Sequence, residues 1–178
     1  MKPQDIYKYC LRCGGGLKKL DEITFQCEKC KNKMFVNPEP VASVILEKGE
    51  NQILLAKRAI EPAKDKWDVP GGFIKPGETA EQAGVREIKE ELGITINIID
   101  IIGTVAPQDY TYQGIDNPHL VVVLRTRLQG NETIKPSDDV SEYKFIDKES
   151  ALRENIQLDG TKMALELYLK RYTLKPLE

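Results

Sequence analysis

The sequence predicts an α/β (α+β) chain: one layered domain with a mixed sheet, preceded by a small four-cysteine zinc ribbon. Three observations carry this. Two cysteine pairs lie within the first thirty residues, short β-branched segments recur from residue 41 onward, and two helical stretches flank those segments. A length of 178 residues suits one ordinary domain with a core, plus a small appended module. The expected division places the ribbon in residues 1–38 and the larger domain in residues 39–178.

The cysteines fall as Cys10 and Cys13, then Cys27 and Cys30, each pair separated by two residues. Two residues between thiolates let one tight turn present both sulfurs to the same ion. Gly14 to Gly16 after the first pair, and Lys31 to Lys33 after the second, suit partly left-handed turns that aim backbone N–H groups at sulfur. Lys8, Arg12, Lys29 and Lys31 would temper the charge of a four-thiolate centre. The only histidine, His119, is remote in sequence, so ligation is expected to be all-sulfur, closed to water and structural. Zn²⁺ is the expected ion; iron takes the same ligands. A module this small folds only with its metal.

Asn37, Pro38, Glu39 and Pro40 read as a stiff linker, since proline restricts itself and its predecessor to extended geometry. Residues 41–46 and 52–56 then form a hairpin-like pair of apolar strands. A helix is expected over residues 79–92, because Thr79 followed by Gln82 makes a capping box and Gly93 supplies the stop. Strands near residues 94–102, 120–127 and 143–147 follow. A last amphipathic helix covers residues 161–172, with Ala164, Leu165, Tyr168, Leu169 and Tyr172 on one stripe.

The formal net charge of −2 argues against a general nucleic-acid binder, although residues 1–40 hold eight Lys/Arg against five Asp/Glu. No apolar leader opens the chain and no apolar run is long enough to span a bilayer, so a cytoplasmic protein without a membrane partner is expected. The cytoplasm keeps thiols reduced, which favours metal over disulfides.

The decisive stretch is residues 72–94. At about 100° per residue, Glu87, Glu90 and Glu91 share an arc of about 100° on the helix, while Val85, Ile88 and Leu92 form a core-facing stripe. Like charges one turn apart weaken a helix by a few tenths of a kcal/mol per pair, so three on one face are either solvated or a hard-cation site. Ala83 and Gly84, one turn earlier, are read as clearing room for a ligand, because a helical glycine costs about 1 kcal/mol relative to alanine. Carboxylate oxygens suit Mg²⁺ or Mn²⁺ bound together with substrate phosphates.

Gly72, Glu78, Arg86, Glu87, Ile88, Glu90, Glu91, Gly93 and Ile94 match every defined position of G-x5-E-x7-R-E-U-x-E-E-x-G-U, with U aliphatic. This resembles the Nudix hydrolase box, and the likeness runs from about Val41 to the C-terminus. The resemblance implies an α/β/α sandwich and hydrolysis of a pyrophosphate linkage. It also implies Glu87, Glu90 and Glu91 as metal ligands with the Gly72 carbonyl beside them. Arg86 would orient a box carboxylate and Glu78 would support the loop. The general base stays open between Glu87 and the later acids Asp138, Asp139 and Glu142, whose other reading is a solvated turn. Lys57 and Arg58, at a strand end, are candidates to meet phosphates.

The substrate is expected to be a small nucleotide derivative, a nucleoside diphosphate linked to another moiety, with ADP-ribose the first guess. The ribbon is similar to that of NADH pyrophosphatases, but residues 104–116 lack their S-Q-P-W-P-F-P-x-S motif. Pro107 lies near the spacing of ADP-ribose pyrophosphatases; Tyr110 and Tyr112 lie near the tyrosine of dinucleoside polyphosphate hydrolases, and either tyrosine is a candidate to stack on a base. His119 reads as a catalytic helper or, more simply, a structural histidine before a buried strand. The alternatives are a nucleoside-triphosphate pyrophosphohydrolase, an NADH or dinucleoside polyphosphate hydrolase, and a non-catalytic nucleotide sensor. Family members are often dimers, so a homodimer is a further expectation.

Overall fold

The computed structural model describes Asp5, residues 7–108 and residues 110–172, the side chain of Tyr112 apart. A three-stranded antiparallel sheet comes first, from β1 (Leu17–Lys19), β2 (Thr24–Cys27) and β3 (Lys33–Phe35). Thr24, Phe25 and Cys27 are its buried residues, so the sulfur cluster is part of a very small core.

The larger sheet runs β12 (Val140–Asp147), β5 (Gln52–Arg58), β4 (Glu39–Lys48), β11 (His119–Leu128) and β8 (Asp100–Val105); β6 (Trp67–Asp68) adds to β5 and β7 (Gly71–Phe73) to β4. β4 and β11 pair in parallel from His119↔Glu39 to Leu128↔Lys48, while the other pairings are antiparallel. α1 (Ala80–Leu92) covers one face and α2 (Asp159–Tyr172) the other. A short ribbon of β9 (Thr111–Tyr112) and β10 (Ile115–Asp116) precedes β11. The α/β/α sandwich is therefore as expected.

The central strands read as continuous apolar runs because both faces are buried. Along β4 and β5, Val44, Leu46, Leu54 and Ala56 face α1, and Ile45, Ile53 and Leu55 face α2. α1 begins with the expected capping box, the Gln82 N–H donating to Thr79 Oγ1 and the Thr79 N–H to Gln82 Oε1. It ends at Gly93, whose φ of 70° is the left-handed geometry that glycine adopts at least cost.

Four local expectations need correction. Glu39 and Pro40 are not linker but the first residues of β4, paired to His119 and Leu120; proline is tolerated at a strand's start. β4 and β5 pair only at Glu47↔Ile53 and Lys48↔Gln52, then separate, because β7 takes β4's edge and β6 takes β5's. Residues 94–99 form no strand, although Ile94 and Ile96 are buried against α1; β8 starts at Asp100. Ala83 and Gly84 clear no ligand space. Both lie against the sheet, and a Cβ at Gly84 would come within 2.7 Å of Leu124 Cδ1 and 3.0 Å of Val44 Cγ2. The glycine lets helix and sheet approach closely.

Candidate active site

The separation of β4 from β5 opens a mouth in the sheet, and the chain from Trp67 to Phe73 fills its rim. Gly71 has φ 147°, and a Cβ there would lie 2.0 Å from the Ala42 carbonyl oxygen, so only glycine lets β7 press against β4. A Cβ on Gly72 would lie 2.6 Å from the Glu87 carboxyl carbon. Two adjacent glycines therefore bring bare backbone against the glutamates of α1.

Those glutamates occupy different environments. Glu91 is buried, and its Oε2 accepts the Gly71 N–H at 3.0 Å. Burial pushes its carboxyl well above the usual range, and the nearby carboxylates of Asp139, Glu87 and Asp68 push the same way. Glu87 is partly buried and also raised, by desolvation, against the opposing pull of Arg86. Glu90 is the most exposed of the three. The buried Glu91 and half-buried Glu87, mutually repelling, with the exposed Glu90 at their edge and a cradle that a Cβ would fill beside them, fit a hard divalent cation.

Arg86 organises this face. Its Nε and Nη2 hold Glu78 Oε1 and Oε2 at 2.7 and 2.9 Å, a two-pronged grip that only a guanidinium makes. Nη2 also reaches the Phe73 carbonyl at 3.0 Å, while Nη1 donates to Glu87 at 2.6 Å and Glu90 at 2.9 Å. Arg86 holds the Glu78 carboxyl at about 2, with help from the Lys75 N–H. Arg86, Glu78, Gly72, Glu87, Glu90 and Glu91 are thus assembled in one place.

The later acids separate. Ser137 donates its N–H to the Glu91 carbonyl and its hydroxyl to the Glu90 carbonyl, and the Lys135 N–H donates to the Leu92 carbonyl. The loop is therefore fastened to the last turn of α1, with Asp139 beside Glu91. Asp138 is exposed at φ 58°, and Glu142 pairs with Lys57 at 3.3 Å on the sheet's outer strand.

A cleft opens on the α2 side of Gly71 and Gly72. Val41, Val69, Pro107 and Val121 line it, with Phe73, Tyr110 and His119 forming an aromatic wall. His119 lies 5.5 Å from Phe73, edge to face, and 4.1 Å from Tyr110 between ring centroids. Burial pulls the imidazole down and Glu39 opposes that; Nε2 lies 3.3 Å from Glu39 Oε2 without hydrogen-bond alignment. Asp68, Gly160 and Thr161 supply the polar end. Arg58 is not on the cleft wall: its Nη1 donates to Asp68 Oδ2 at 3.0 Å and its Nε to the Pro62 carbonyl at 2.6 Å. Tyr110 lines the cleft, and the Tyr112 side chain lies outside the described residues.

Asp68, Phe73 and Thr161 were not legible as site residues. Asp68 looks like any polar residue beside Trp67, and its partner Thr161 is 93 positions away.

In the ribbon, the four Sγ atoms lie within 4.8 Å of one another, with Cys10 and Cys30 3.8 Å apart and Cys13 and Cys27 3.5 Å apart. Tetrahedral metal–sulfur bonds of about 2.3 Å place sulfurs about 3.8 Å apart, so the set fits a four-coordinate ion. The Cys30 N–H donates to Cys27 Sγ at 3.4 Å and pulls that thiol down to about 6. Gly14 at φ 69° and Lys31 at φ 59° make the expected left-handed turns.

Among the described residues, no helix is long and apolar enough to cross a membrane. An ADP-ribose pyrophosphatase of Methanocaldococcus jannaschii is 36% identical over 118 residues, 66% of this chain and 66% of that protein. The NAD-capped RNA hydrolase NudC of Stutzerimonas stutzeri is 26% identical over 176 residues, covering 96% of this chain but 59% of its own length. This chain thus spans about three-fifths to two-thirds of these relatives. The crystal structure of a NUDIX hydrolase from Nitrosomonas europaea superposes with a TM-score of 0.73 at 26% identity, over 93% of this chain and 92% of that one. The family model described as the NUDIX domain matches residues 37–167, and with the box assembled on α1 the chain belongs to the NUDIX family.

Proposed function

We propose that this chain hydrolyses the pyrophosphate linkage of a nucleoside diphosphate joined to another moiety, ADP-ribose being the first substrate to test. The observation that carries the reading is the assembly of Glu87, Glu90 and Glu91 with Arg86 beside bare glycine backbone, next to an aromatic-walled cleft. The M. jannaschii relative, named for ADP-ribose, supports the same substrate class.

Mg²⁺ or Mn²⁺ would be held by Glu87, Glu90 and Glu91 with the Gly72 carbonyl. Such ions, when bound, neutralise charge on phosphate oxygens and lower the pKa of water. The chain's own residues do the positioning that phosphoryl transfer chiefly needs. Arg86 and Glu78 fix the carboxylates, the two glycines admit the phosphates closely, and the cleft orients the nucleoside. Asp139 is the favoured base, because its loop is fastened to α1 beside Glu91, whereas Glu87 is engaged by Arg86 and Glu142 by Lys57. The four-cysteine ribbon, the first 38 residues, would carry structural Zn²⁺.

Turnover of ADP-ribose with Mg²⁺, resolved into products, tests the reading. AMP and a sugar phosphate are expected, and Glu91→Gln should abolish the reaction; inorganic pyrophosphate from triphosphates instead would indicate the alternative class. Retained turnover in both Glu90→Gln and Glu91→Gln would sink the mechanism. A second reading, NAD-capped RNA as substrate, is favoured by one observation: the NudC relative aligns across ribbon and catalytic domain together. Release of an RNA 5′-monophosphate from such a cap would support it.

A further inference from the structure

The buried carboxylate at the polar end of the cleft is not among the metal ligands proposed above, although its charge reaches Glu91. Asp68 sits on β6 and is held from two other elements: Arg58 of β5 grips Oδ2, and the Thr161 hydroxyl of α2 donates to Oδ1. Its side chain is 16% exposed, and it lines the cleft. Thr161 lines the cleft as well, whereas Arg58 does not, so Oδ1 is the oxygen on the cleft side. A carboxylate offers about four lone-pair positions. Arg58 engages Oδ2 and the Thr161 hydroxyl engages Oδ1, which leaves acceptor capacity on the oxygen that faces the cleft.

Apart from Ser43 and the Gly71–Gly72 backbone, the other surfaces of the cleft are apolar or aromatic. Val41 and Val121 line its sides, and the Phe73–His119–Tyr110 wall offers ring faces. A flat ring enters such a slot readily. An apolar slot ending in an immobilised acceptor discriminates by what the ring carries at that end. Burial pushes the Asp68 carboxyl up and the Arg58 guanidinium opposes that. An N–H donor completes the ionised form that Arg58 favours, whereas a carbonyl oxygen there meets negative charge with no proton between them.

We propose that Asp68 is the specificity-determining residue of this cleft, and that it selects a heteroaromatic ring bearing an exocyclic amine, a 6-aminopurine, over the corresponding 6-oxopurine. This deepens the hydrolase reading by naming the part of the nucleotide the cleft takes, but it rests on the cleft and not on turnover. Arg58 and Thr161 act as positioning residues: Arg58 fixes the far oxygen and the threonine hydroxyl fixes the near one.

The substitution Asp68→Asn has a directional consequence. Arg58 has only donors, so it must face the amide oxygen, which turns the amide NH2 toward the cleft. The acceptor end then becomes a donor end, matched to a 6-oxo group.

The experiment is equilibrium binding of AMP and IMP to the full chain with Mg²⁺, by calorimetry, for wild type, Asp68→Asn and Thr161→Ser. The readout is the ratio of the two affinities in each preparation, which does not depend on the folded fraction. Wild type should favour AMP by roughly 10-fold or more, the scale of one hydrogen bond to a charged group. Asp68→Asn should abolish or invert the preference, and Thr161→Ser, which keeps the hydroxyl, should retain it. Equal affinities in wild type, or an unchanged ratio in Asp68→Asn, would overturn the proposal. Failure of the hydrolase reading would show separately, as binding with this selectivity but no cleavage of ADP-ribose.

Discussion

Replacing Arg86 by lysine keeps the charge and removes the fork, which makes it a sharp test of how the carboxylate face is held. Arg86 makes five hydrogen bonds to four partners: both oxygens of Glu78, the Phe73 carbonyl, Glu87 and Glu90. An ammonium offers three donors on one nitrogen and cannot span that set, so at least two contacts are lost. Each charge-assisted bond contributes about 1.5–3 kcal/mol when enclosed. Arg86 is 19% exposed and Glu90 42%, so solvent screening reduces the combined loss to roughly 1.5–3 kcal/mol. At about 1.4 kcal/mol per decade, kcat/KM for ADP-ribose should fall roughly 10- to 100-fold. The Mg²⁺ concentration for half-maximal rate should rise, because Glu87 and Glu90 are no longer held together. The assay is initial rate across a Mg²⁺ titration, with a thermal melt on the same sample. Catalytic efficiency and Mg²⁺ dependence both within twofold of wild type would refute the assigned role.

Two further outcomes concern stability. Burial alone would raise Glu47, but Arg125, Tyr168 and Lys148 more than reverse this and hold it at about 2, with Arg127 3.1 Å away. Truncation by Glu47→Ala leaves these groups around an uncompensated buried site and should cost about 3–5 kcal/mol in urea unfolding. Because the folded pKa lies below the unfolded value, the contribution is complete above about pH 4.5 and is lost as pH falls toward 2. Wild-type melting temperature should drop across that window, and Glu47→Gln should drop less; parallel curves would contradict the account. For the ribbon, one Zn²⁺ per chain by elemental analysis is expected, lost on Cys27→Ser; full retention would disprove four-sulfur ligation.

How far the site was legible follows from how local each part is. The capping box at Thr79, the stop at Gly93 and the cysteine knuckles are set by neighbours within a few residues, and each appears in the structure as read. The separation of β4 from β5 was not legible, because β6 and β7 intervene between strands that look like a plain hairpin. Gly84 was misread for a related reason. Helical periodicity places it beside the acidic arc, but only the packing of α1 shows that this arc includes the sheet side, where Glu91 is buried and Gly84 meets Leu124.

The sequence by itself determined the spacing of Glu87, Glu90 and Glu91 on one helix and the convergence of two cysteine knuckles, since helix geometry and short turns leave little freedom over such distances. Only the tertiary structure decided which carboxylate is buried, which later acid approaches it, and what faces the nucleoside. Asp68, Arg58 and Thr161 come from β6, β5 and α2, and His119 reaches Tyr110 and Phe73 from β11. Contacts between distant segments depend on how the sheet closes, and no local pattern in the chain encodes that closure.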